Sequence, residues 1–247
     1  FNTGYMTNLG ILYGLLQTGD VVFSDELNHA SIIDGCRISR CKVVVYKHND
    51  MADLQRLLET EIVTGQRFIV TDGVFSMDGD IADLPSLAVL KKQFNACLIV
   101  DDAHGVGVIG NDGSGTASHY GLTDVIDLQV GTLSKALAAE GGYVAGKKIL
   151  IDYLINRSRP FIFSTALAPA TLAAANAALL LLQTQASKYL DSLRANSRLM
   201  RRLLLEGGLN VVEGITPIIP VVIGEAGLTM QFADRLKSKG ILVSGIR

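Results

Sequence analysis

The chain has 247 residues, 49% hydrophobic and 19% charged, with a net charge of −2. That length supports one large core or about one and a half domains. Slight acidity without a Lys/Arg block argues against nucleic-acid binding as the main function.

Apolar residues at helical spacing (Leu9, Leu12, Tyr13, Leu16) predict a helix over residues 8–16, stopped by Gly19 and Asp20. Residues 21–24 read as a short strand, 28–38 as a helix and 42–46 as a strand. Asn49 and Asp50 cap a helix carrying Met51, Leu54, Leu57 and Leu58. Strand 68–71, helix 84–94 and strand 97–101 continue the alternation, and an apolar run over 125–130 and a short strand at 143–145 follow. Strands apolar on both faces, alternating with helices, predict an α/β protein with a mainly parallel, covered sheet.

Beyond Gly146 a helix is expected over 147–156 and an extended segment over 159–165. A long Ala/Leu helix from Pro169 follows, reaching the basic segment 194–202, whose arginines (Arg194, Arg198, Arg201, Arg202) read as a solvated face. The stretch 166–182 carries Pro169, Thr171, Asn176 and many alanines, and is expected to be a buried helix rather than a membrane span. Strand-like runs at 218–223 and 241–243 and a helix over 230–237 suggest a smaller α+β domain. We place the boundary near Gln183, giving a large domain over 1–182 and the start of a second over 183–247.

Cys36, Cys41 and Cys97 are odd in number and lack zinc spacing, as expected of reduced thiols in a cytoplasmic protein. The opening Phe1–Gly4 shows no leader pattern, and both ends read as internal to a longer protein.

Four polar clusters fall at strand ends, where ligands sit in open parallel sheets. They are Asn28-His29-Ala30-Ser31, Asp72 to Asp78 with Ser76, Asp101-Asp102-Ala103-His104, and Thr132-Leu133-Ser134-Lys135. The spacing of Gly105, Gly107 and Gly110 matches a dinucleotide fingerprint, but residues 111–115 prevent the helix it needs. A metal site at Asp101, Asp102 and His104 meets the difficulty that adjacent strand residues face opposite ways. Pyridoxal phosphate needs a Schiff-base lysine, an acid for the pyridine nitrogen and phosphate donors. Lys135, partly buried among hydroxyls, supplies the amine. Asp101, with His104 three residues on, meets the second need. Thr132, Ser134 and the backbone amides at Gly4 and Tyr5 meet the third.

Asp101–Gly105 with Thr132–Lys135 resembles the α-oxoamine synthases, aminotransferase-like enzymes of pyridoxal-phosphate fold type I that condense an amino acid with an acyl-CoA. Residues 27–31, 73–80 and 163–169 also resemble family segments, in the family's order. The resemblance implies a large domain with a mainly parallel central sheet, plus part of a smaller C-terminal α+β domain. It implies that Lys135 holds the cofactor and takes the substrate's α-proton, and that Asp101 pairs with the pyridine nitrogen. His104 and Ser76 would approach the ring hydroxyl, and His29 would stack on the ring as a second catalytic residue. Thr132, Gly4 and Tyr5 would line the phosphate end. Ser164 and Thr165 resemble residues that reach a neighbouring subunit's phosphate, which implies a homodimer with shared sites.

Bland readings stand beside these. His29 also reads as a helix cap, His104 and Ser76 as turn residues, and Ser164 and Thr165 as caps of the long helix. His48 and His119 read as loop histidines, and Glu140-Gly141-Gly142 as a backbone requirement. Within the family, residues 243–247 are similar to the branch that condenses L-alanine with a pimeloyl thioester, on CoA or a carrier protein, for biotin. The glycine-acetylating branch is the alternative. A nicotinamide-dependent dehydrogenase and a catalytically silent subunit are the readings of other classes. The family also implies segments on both sides of this chain, including a C-terminal arginine for the substrate carboxylate.

Overall fold

The computed structural model describes residues 1–246; Arg247, which closes the terminal motif, lies outside them. Its centre is a six-stranded sheet: β1 (Val21–Asp25), β2 (Lys42–Tyr46), β3 (Arg67–Asp72), β4 (Ala96–Asp101), β5 (Leu128–Thr132) and β6 (Gly142–Gly146). The spatial order is β2-β1-β3-β4-β5-β6, parallel throughout except for the antiparallel pair β5–β6. The order reverses between β1 and β3, which opens a crevice at the carboxyl ends of those strands.

Alternation along the strands makes two cores. Val21, Phe23, Ile69, Leu98 and Val100 face one side, where Leu54 and Leu58 of α3 (Met51–Thr60) and Leu84, Leu87 and Leu90 of α4 (Leu84–Gln93) cover them. Val22, Phe68, Val70, Ile99 and Val130 face the other side. There they pack on Ile11, Leu12 and Leu15 of α1 (Gly4–Leu15) and on Ile32 and Cys36 of α2 (Ala30–Ile38). Side-chain caps start these helices: Thr3 Oγ1 accepts from Met6 N, Asp50 from Asp53 N and Asp83 from Ser86 N. The edge strand β2 departs from the two-sided expectation. Val44 and Tyr46 are buried, but Val43 and Val45 are exposed.

The C-terminal part adds α5 (Thr116–His119), α6 (Lys148–Arg157), α7 (Arg159–Ile162), α8 (Pro169–Glu206) and α9 (Ala226–Ser238). Four expectations need correction here. Residues 159–162 are helical rather than extended, because Ser158 O accepts from Phe161 N and Ile162 N while Pro160 sits in the first turn, where its missing N–H costs nothing. The helix expected to be buried is largely open: of α8, Ala175 and Leu190 are the buried residues. Residues 218–223 and 241–243 form no ladder among the described residues. Pro220 lacks a donor, so that run makes a single bridge, Val211 to Val221, and residues 241–243 stay exposed. The arginines of α8 are not all solvated: Arg201 donates to the carbonyls of Val212, Thr216 and Ile218, and Arg194 to that of Gly110.

No helix among the described residues is long and apolar enough to cross a membrane.

Candidate active site

The carboxyl ends of β3, β4 and β5 and the amino ends of α1 and α2 meet around a pocket of about 150 Å³. Its walls include Gly4, Tyr5, His29, Ser76, Asp101, His104, Thr132, Ser134 and Lys135, so most of the predicted site residues come together. Asn28 holds the crevice in shape. Its Nδ2 donates to Val70 O and Ser24 Oγ, each at 2.9 Å, and its Oδ1 accepts from Asp72 N at 2.8 Å.

Asp101 ends β4 and is buried. Burial pushes its carboxyl above the usual range, while Asn8 Nδ2, donating to Oδ2 at 2.5 Å, and Ala103 N, donating to Oδ1 at 3.0 Å, favour the charged form. Asp102 points elsewhere, as strand alternation requires. Its Oδ2 accepts from Thr116 N at 2.6 Å, and burial raises its carboxyl to about 7. Residues 105–110 run as turns rather than opening a helix.

His29 is the N-cap of α2 and lines the pocket as well, so its capping role coexists with a site position: Nδ1 accepts from Ser31 N at 3.2 Å and lies 2.7 Å from Ser31 Oγ. His104 has its pKa lowered to about 4, first by burial and then by the Lys135 charge, so it is neutral at pH 7.

Lys135 is exposed, not partly buried as its sequence context predicts, because it rides the loop that joins the carboxyl end of β5 to β6. That loop is tied down by Leu133 N to Gly141 O, Ala139 N to Leu133 O and Ala138 N to Lys135 O, with Ala138 in the left-handed region (φ 49°). Thr132 Oγ1 donates to Gly141 O at 3.0 Å and lies 2.8 Å from Ser134 Oγ. Gly4 opens α1 opposite: a Cβ there would meet Thr132 Cβ and Oγ1 at 3.4 Å. Gly142 supports this approach, since a Cβ on it would lie 2.8 Å from Gly4 N and from Thr3 O.

Ser164 and Thr165 lie outside the pocket of their own chain. Ser164 Oγ donates to Pro160 O at 2.6 Å, and α8 has no side-chain cap, so the capping reading does not hold. Ser31 and Asp72 line the pocket, and Asn8 bonds to Ser31 and Asp101 from behind it, without any of the three having been assigned a role from sequence. Asp72 Oδ2 accepts from His29 N at 2.9 Å. A larger groove of about 570 Å³ between α8 and residues 214–217 holds none of the predicted site residues.

The family described as aminotransferase class I and II matches residues 1–247. An 8-amino-7-oxononanoate synthase from Francisella tularensis is 33% identical in its solved structure, with a TM-score of 0.85 over 99% of this chain and 71% of that one. The chain belongs to the class I and II aminotransferases, in their α-oxoamine synthase branch. This family member also resembles serine palmitoyltransferase from S. paucimobilis, solved with bound PLP-myriocin, at 32% identity and a TM-score of 0.94 over 99% of this chain and 64% of that one. Among curated relatives, the 8-amino-7-oxononanoate synthases of Geotalea daltonii and Lysinibacillus sphaericus are 52% and 48% identical over the whole chain. The chain spans 63% of the length of each, just under two thirds.

Proposed function

We propose that this chain is the pyridoxal-phosphate-binding part of an 8-amino-7-oxononanoate synthase, which condenses L-alanine with a pimeloyl thioester and releases carbon dioxide. The observation that carries the reading is the meeting of buried Asp101, Lys135 and the open amino end of α1 at one pocket. These residues fit pyridoxal phosphate. Gly4 leaves beside Thr132 the space a Cβ would fill, and a helix amino end favours an anion. The shared name of the curated relatives supports the choice of substrates.

Bound there, pyridoxal phosphate would withdraw electrons from the amino acid's α-carbon. Lys135 would hold its aldehyde carbon and then move the proton at the substrate's Cα through Nζ. The Asp101 carboxylate would keep a proton on the ring nitrogen, supported by the donors from Asn8 and Ala103. His29 would pack on the ring face and exclude water. Neutral His104 and Ser76 would bond the ring hydroxyl. The Thr132 and Ser134 hydroxyls and the Gly4 and Tyr5 amides would hold the phosphate.

The reading extends to a homodimer in which Ser164 and Thr165 reach the neighbouring site. Exposed Phe161, Ile162, Phe163 and Leu172 flank them and offer an apolar contact strip. Residues 1–182 form the cofactor domain and 183–247 begin a smaller one; the break in helical angles at Gln185 (φ −136°, ψ 20°) supports a division there. Three free thiols fit a reducing, cytoplasmic setting.

The test is incubation of the full-length protein with L-alanine and pimeloyl-CoA, with products read by mass spectrometry. Formation of 8-amino-7-oxononanoate is expected. Product from glycine and acetyl-CoA alone would move the reading to the glycine branch, and no product from either pair would overturn it.

A further inference from the structure

This inference rests on the pyridoxal-phosphate reading and deepens it. Asn8 is a buried residue of α1, 2% exposed, and both protons of its amide go to the pocket floor. One is donated to Asp101 Oδ2 at 2.5 Å and the other to Ser31 Oγ at 2.9 Å. Ser31 Oγ in turn lies 2.7 Å from His29 Nδ1, which already accepts the Ser31 backbone N–H at 3.2 Å.

Proton counting gives this chain a direction. Nδ1 is an acceptor, because a backbone N–H points at it, so the ring proton sits on Nε2. The Ser31 hydroxyl spends its one proton on Nδ1 and uses a lone pair to accept from Asn8. The amide cannot be reversed, since its carbonyl oxygen would then face both the Asp101 carboxylate and the Ser31 oxygen. Donation therefore runs outward from Asn8, to Asp101 on one side and through Ser31 to His29 on the other. Both groups that this buried amide serves line the pocket.

We propose that Asn8 is a positioning residue that aims the Asp101 carboxylate and orients the Ser31 hydroxyl that bonds His29 Nδ1, so that one amide organises both the acid and the ring-packing group. Asn8 itself does not line the pocket.

The experiment uses the full-length protein loaded with pyridoxal phosphate carrying 15N at the pyridine nitrogen. The native protein is expected to give the signal of a protonated ring nitrogen. In Asn8→Ala the signal moves toward the unprotonated position, and cofactor affinity falls about tenfold or more. Ser31→Ala, which keeps the backbone N–H on Nδ1, is expected to leave the ring-nitrogen signal and the Nε2–H tautomer in place while the His29 Nδ1 signal shifts with loss of the hydroxyl hydrogen bond. Melting of the cofactor-free proteins is followed in parallel. Lost stability in Asn8→Ala with unchanged ring signal and affinity would overturn the inference, as would an unchanged His29 Nδ1 signal in Ser31→Ala. If Asn8→Ala does not fold, Asn8→Ser carries the same expectations. A native protein that binds no cofactor would overturn the cofactor reading and this inference together, whereas native binding with silent variants overturns the inference alone.

Discussion

Asp72 and Asp101 are register partners on the adjacent parallel strands β3 and β4, and both buried carboxyls end at the same pocket. Burial, and then the Asp101 charge, raise Asp72 well above the usual carboxylate range. An acid with a raised folded pKa binds its proton more tightly in the native state, so its contribution to stability declines as pH rises above about 3.9 toward that folded pKa. Asp72→Asn keeps an oxygen to accept from His29 N but removes the titration. The variant is expected to gain about 1 kcal/mol, or roughly 2–4 °C, over the native protein at alkaline pH, and little or nothing at pH 4. Melting curves from pH 4 to 9 check this; parallel curves would count against it.

His48 sits in a turn, in keeping with its reading as a loop histidine, but between two carboxylates: Nδ1 is 2.9 Å from Asp25 Oδ1 and Nε2 is 2.8 Å from Asp80 Oδ2. Burial works to lower its pKa, but the hydrogen bonds and charges of Asp25 and Asp80 together outweigh burial and raise it. The stabilisation is therefore fully present below about pH 6.5 and is lost as pH rises through the higher folded pKa. His48→Gln is expected to cost more at pH 6 than at pH 9, with a pH-dependent part under about 1 kcal/mol because the ring is partly solvated. An equal cost at both pH values would show that the ion pairs contribute nothing.

Thr132 and Gly4 face each other where the phosphate would lie. Thr132→Val keeps the shape and removes the hydroxyl. Affinity for pyridoxal phosphate is expected to fall about tenfold, while affinity for pyridoxal, which lacks the phosphate, changes little. Equal losses for both ligands in a titration would place the effect on the fold instead.

Much of this was legible in the sequence, and the failures have a common cause. β4 and its terminal Asp101 follow from an apolar run that ends in acid, and the Asp50 cap follows from local chemistry. Asn8 was missed because its partner is 93 residues away, and a single polar residue in an apolar helix pattern gives no sign of what it faces. The carboxylate partners of His48 gave no sign for the same reason, Asp25 and Asp80 lying 23 and 32 residues from it. The runs at 218–223 and 241–243 have strand-like composition, but a strand needs a partner to become a ladder.

The most direct test of the central claim is the attachment of pyridoxal phosphate to Lys135. The full-length protein is mixed with the cofactor, its visible spectrum recorded, the adduct fixed with borohydride and the modified peptide sequenced. The account expects a visible band and a label on Lys135, both absent in Lys135→Ala. A label on another lysine, or an undiminished band in Lys135→Ala, would contradict it.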